Sequence, residues 1–141
     1  MGLYQFGAFV HLVGAVLLIG YLLFWAIMGL ALGRRFEPAE VRRYLDVVAS
    51  ARWPHVAVPW HLRLPWPMVG WVMLAVMILT GALLLLIGPV GFDALMWAKL
   101  AAVLALVGLH HGLARRATPP VAHAGLGLGL LIVALSAHLL R

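Results

Sequence analysis

Four runs of predominantly apolar residues dominate this chain, each long enough to cross the roughly 30 Å hydrocarbon layer of a bilayer as a helix. The first runs from about Tyr4 to Leu32 and stops at Gly33-Arg34-Arg35. The second covers about Pro67 to Ile87 and stops at Gly88-Pro89. The third covers about Asp93 to Leu113, before Arg115-Arg116, and the fourth about Val121 to Leu140. With no water in the bilayer core, a spanning segment must satisfy its own backbone, which a helix does. The expected fold is therefore all-α: one membrane domain over residues 1–141, built as a four-helix transmembrane bundle. Composition agrees. Hydrophobic residues make up 65% of the chain and charged residues 10%, whereas a soluble domain carries about a quarter charged.

The links constrain the arrangement. Gly88 to Phe92 joins the second span to the third, and Ala114 to Pro120 joins the third to the fourth. Links this short make antiparallel neighbours. The first link is longer, from Gly33 to Trp66. Within it, Glu37 to Leu45 predicts a short amphipathic helix at the interface, with Trp53, Trp60 and Trp66 as interfacial anchors. The N-terminus lacks the basic leader and the small-residue cleavage site of a signal peptide, so it is expected to be a retained helix.

Eight of the ten basic residues fall in two loops: Arg34, Arg35, Arg42, Arg43, Arg52 and Arg63 in the first, Arg115 and Arg116 in the last. The positive-inside rule makes those loops cytoplasmic and turns both termini outward, in a bacterial inner membrane. The net charge of +6 thus reflects topology. A bilayer, not nucleic acid, is the expected partner. The chain has no cysteine, which excludes disulfides and thiolate sites. Its acids are Glu37, Glu40, Asp46 and Asp93, none at mid-membrane, which argues against hydrolytic machinery and acid-driven pumping.

Ionisable groups inside a bilayer are costly, so each is a functional candidate. They are His11, Lys99, His110, His111, His123 and His138; His55 and His61 lie in the polar loop and are weaker candidates. His11 shares a helix face with Gly7 and Gly14. That face either leaves a flat recess for a planar macrocycle, with His11 as its metal ligand and Gly14 in its wall, or allows close helix packing. Lys99 lies at matching depth, where it either pairs with an anion such as a haem propionate or snorkels to the headgroups. Eleven residues later, His110 returns to the face of Lys99 with an offset of about 20°. His123 and His138 bracket the fourth span, roughly 22 Å apart along it. His138 could meet His11, and His123 could meet His110, so that one b-type haem, or conceivably two, is held between the helices. Gly125 and Gly129 fit either a close helix contact or space for a ligand.

Some of these stretches also resemble a known family. Ala8-Phe9-Val10-His11-Leu12-Val13-Gly14 in the first span, Arg63-Leu64-Pro65-Trp66-Pro67-Met68-Val69 at the second, and Trp97-Ala98-Lys99-Leu100-Ala101-Ala102-Val103-Leu104 with Gly108-Leu109-His110-His111-Gly112 in the third are similar to the HemJ family of membrane protoporphyrinogen oxidases. A looser similarity is to the CopD family of copper-resistance membrane proteins. The HemJ resemblance implies bound haem b and a critical pair at His11 and Lys99. It further implies oxidation of a tetrapyrrole, with electrons passed to a membrane acceptor. Two alternatives stand beside it. One is a non-enzymatic cytochrome b subunit of a larger membrane complex, with partner subunits or copies of itself. The other is a CopD-like copper transport protein.

Overall fold

The computed structural model describes residues 2–50, 52–53, 64–88, 93–115 and 118–139. It is helical almost throughout. The helices are α1 (Leu3–Gly33), α2 (Pro38–Ser50), α3 (Trp66–Ile87), α4 (Ala94–Arg115) and α5 (Pro119–Leu139). Four of them, α1, α3, α4 and α5, are long and apolar enough to cross a membrane. They are apolar around their whole circumference, as expected of spans with lipid on one side and protein on the other. Leu12, Val16, Leu79, Leu86 and Leu104 are among the large side chains left facing outward.

Each boundary has a local cause. Asp93 precedes α4 and caps it, its Oδ1 accepting the Met96 N–H at 2.8 Å. Pro38 and Pro119 open α2 and α5, where a missing N–H costs nothing. Glu40 Oε2 accepts the Glu37 N–H at 3.1 Å at the start of α2. Between α2 and α3, Arg52–Trp53 (β1) pairs antiparallel with Leu64–Pro65 (β2), a two-residue bridge that closes the first loop on itself. Trp60, His55 and His61 lie outside the described residues, so their expected places in that loop are not among those seen.

The predicted interfacial helix is longer than expected and is attached to the bundle. α2 is amphipathic, and its apolar stripe, Val41 and Leu45, is fully buried against the rest of the core. Phe36 and Tyr44 meet ring to ring at 4.9 Å on its other side.

α1 is the centre of the bundle. It packs along both α3 and α5, and α4 packs chiefly on α5. α3 and α4 are neighbours despite touching sparsely, although only residues 88–93 join them. Lipid is as apolar as leucine, so hydrophobic transfer does not drive these contacts; close fit does. Small residues provide it. Gly7 lies against Leu83 and Leu84, Gly14 against Met77 and Val76, Gly29 against Pro119, and Gly125 and Gly129 against Leu22 and Ile19. At the centre, Leu18, Leu22, Trp25, Leu74, Leu106 and Ile132 form one continuous core.

Candidate functional site

The polar side chains of the spans collect in two tiers inside the bundle, one toward the end that carries the termini and one toward the α2 end. Between them lies an apolar layer with a cavity of about 30 Å³, lined by Ala15, Leu18, Met77, Leu106, Ile132 and their neighbours. His11 and Tyr21 mark the two tiers on α1, roughly 15 Å apart at the helical rise.

The tier nearer the termini holds His11, Thr80, Gly81 and Lys99. His11 is half-buried. Its Nδ1 lies 2.8 Å from Thr80 Oγ1. That hydroxyl is in turn 2.7 Å from the carbonyl oxygen of Val76, one turn back on α3. The imidazole ring rests on Gly81, where a Cβ would come within 3.2 Å of its Cε1. Lys99, on α4, is half-buried near the same end of the bundle. Among the described residues no carboxylate pairs with it: Asp93, the nearest acid along the chain, is engaged with the start of α4. Two half-buried basic side chains from different helices thus lie near one end of the bundle, one of them bonded to a hydroxyl.

The second tier is a closed aromatic cage around His110, which is only 2% exposed. His110 Nε2 donates to the carbonyl oxygen of Pro67 at 3.2 Å. A carbonyl only accepts, so in the neutral ring Nδ1 is the bare nitrogen, and it is buried without a partner. Trp71 and Tyr21 stand edge-on to the imidazole, with ring centroids at 5.0 and 5.6 Å. Trp25, 1% exposed, extends the cage from Tyr21. A Cβ at Gly70 would collide with both His110 and Tyr21.

His11 and Lys99 therefore lie near the same end of the bundle, on helices that scarcely touch, and His110 lies in a separate tier on the Lys99 face of α4. His111 is exposed, edge-on to Trp71 at 6.2 Å. His123 is exposed on α5 and does not join the His110 cage. His138 belongs to α5, but its side chain lies outside the described residues. Gly7 and Gly14 do share the face of His11, and side chains of α3 cover both. Gly125 and Gly129 serve the contact between α1 and α5.

Thr80, Gly81, Gly70, Tyr21 and Trp71 were not singled out from the sequence. A signal for some of them was present: Thr80 is the only hydroxyl residue in α3, and Gly70 and Gly81 are its only glycines. Each of those glycines seats one histidine.

The residues around His11 suit a b-type haem in donor chemistry. They offer an imidazole nitrogen for iron and an ammonium for a propionate. Those around His110 do not, because its Nε2 is engaged and the cage leaves it no open face. The apolar cavity between the tiers, about 30 Å³, is far below the roughly 300–1,000 Å³ of ligand pockets. Among the described residues no cluster of three metal-binding side chains occurs. No protein-family model, curated protein or solved structure matches the chain.

Proposed function

We propose that this protein is a haem b-binding membrane redox protein, with His11 as the axial ligand and Lys99 as the partner of a propionate or of an anionic tetrapyrrole. The observation that carries this reading is that His11 on α1 and Lys99 on α4 are half-buried basic groups near the same end of the bundle, and that no carboxylate pairs with Lys99 among the described residues. An unpaired ammonium in a low-dielectric site is costly. A ligand offering both a metal and an anion relieves that cost and uses the imidazole as well.

A haem bound there supplies one-electron transfer. His11 holds it through a neutral imidazole, Thr80 orients the ring, and Lys99 fixes the carboxylate edge. The apolar flanks of α3 and α4 keep water away. In the HemJ-like form of this proposal the electrons come from protoporphyrinogen or a related tetrapyrrole and pass to a membrane acceptor. A second form stands beside it. In it, the protein carries electrons as a cytochrome b subunit beside partner subunits or copies of itself, and holds no second tetrapyrrole. In either form it lies in a bacterial inner membrane with α2 on the cytoplasmic side.

Absorption spectroscopy of the purified protein tests the proposal. A Soret band that is lost in His11→Ala supports it. Its absence from wild-type protein supplied with hemin refutes it. Oxidation of protoporphyrinogen by the haem-loaded protein then separates the enzymatic form from the electron carrier.

A further inference from the structure

Thr80 has one hydroxyl proton and three near neighbours for it, the Val76 carbonyl oxygen, the more distant Met77 carbonyl oxygen at 3.4 Å and His11 Nδ1, and they are not equivalent. The Val76 carbonyl oxygen, 2.7 Å away, has no proton to give. A contact that short needs the hydroxyl proton between the two oxygens. Thr80 Oγ1 then faces His11 Nδ1, at 2.8 Å, with a lone pair only. The Nδ1 must supply the proton of that bond. Neutral imidazole carries one N–H, so Nε2 is left bare. Thr80 Oγ1 is the side-chain partner of the ring, the Met77 backbone also lies within bonding reach of it, and Nε2 is not among the sealed-in polar atoms.

We infer that Thr80, with Gly81 beside it, is a positioning residue that holds His11 as the Nδ1–H tautomer. Nε2 is thereby a pure electron-pair donor, and the work of the site is divided: His11 binds an electron-pair acceptor such as a metal centre, and Lys99 alone binds the anion. This deepens the haem proposal and rests on it for the identity of the metal centre. The tautomer itself does not depend on haem. Partners of this kind, bonded to the outer nitrogen of a ligating histidine, fix the ring orientation and raise its basicity. Gly81 contributes by letting the ring approach α3 closely: a Cβ there would come within 3.2 Å of Cε1, and the imidazole would have to shift to admit it. The opposite tautomer occurs in the other tier, where the Pro67 carbonyl takes the Nε2 proton of His110. α3 therefore sets both histidines, in opposite senses.

The test uses the full chain in lipid nanodiscs, labelled with ¹⁵N-histidine and free of haem, with His11→Ala identifying the His11 resonances. The expected result is a protonated Nδ1 and a bare Nε2 in wild type and in Thr80→Ser. Thr80→Val should lose that preference and bind hemin about 10- to 100-fold more weakly, and Thr80→Ser should restore binding. A wild-type His11 protonated on Nε2 overturns the inference. So does a Thr80→Val protein with the wild-type tautomer, or one that loses the tautomer yet binds hemin as wild type does. If the tautomer is as expected but wild type gives no Soret band with hemin, the haem reading falls and the Thr80 seat stands.

Discussion

His110 and Gly70 occupy the same point in the bundle: the imidazole of α4 lies where the side chain of residue 70 on α3 would begin, and Tyr21 of α1 closes on that point from another side. Three helices cross there because one of them contributes no side chain. The contact is notable because α3 and α4 touch so little elsewhere.

Gly70→Ala should therefore be among the most damaging single-methyl changes in the protein. Neither an imidazole 2% exposed nor a tyrosine 4% exposed can move aside cheaply, and overpacking of this kind costs about 1–3 kcal/mol or more. Gly20→Ala is the control, because a Cβ at Gly20 meets nothing within 4 Å and alanine is the better helix former. Thermal unfolding in detergent should show a clear loss of stability for Gly70→Ala and none for Gly20→Ala. Equal midpoints would mean that the crossing is looser than described.

His11→Ala should remove haem without disturbing insertion. The ring is half-buried and bonded only to α3, at Thr80 and the Met77 backbone, so its loss leaves a small defect in the contact between α1 and α3. Pyridine haemochrome analysis of protein purified from membranes should show haem content falling to background at unchanged yield. Wild-type occupancy in the variant would exclude His11 as the ligand.

Lys99 should matter for its charge. Lys99→Met keeps most of the apolar stem, so insertion should be equal or better, yet hemin affinity should drop by about tenfold or more, as expected when a charge-assisted bond is lost. Lys99→Arg should retain more binding than Lys99→Met, with some loss because a planar guanidinium needs different space. Identical titrations for wild type and Lys99→Met would show a lysine that only reaches toward the headgroups.

Topology gives a fourth prediction. Reporter fusions near Arg42 and after Arg141 should report the cytoplasmic and the outer side, respectively, because basic residues crowd the loops at the α2 end. A periplasmic signal from the Arg42 fusion would invert the assignment.

The four spans and their ends were legible because length and hydropathy alone decide whether a helix fits a bilayer. The shared depth of His11 and Lys99 was legible because it needs only the helical rise along two spans of known ends. What the sequence hid was which faces meet. Apolar residues surround every span, so there is no periodicity to tell an inward face from an outward one, and only the packed bundle shows that α3 covers Gly14. The role of Thr80 was hidden for a related reason: it depends on a residue 69 positions away. Pro67 was likewise unreadable as a partner of His110, because it acts through its backbone carbonyl. By contrast, α2 has a strong apolar stripe and was predicted. Its burial against the bundle was not, since an interfacial helix and a docked one share the same pattern.

The central place of α1 also governs how the protein is made. Its two flanks rest on α3 and α5, and α4 leans chiefly on α5. During synthesis the two flanks of α1 are therefore covered in turn, by α3 from Trp66 and by α5 from Pro119. Until α5 is made, Gly125 and Gly129 have not met Leu22, and α4 lacks its main support.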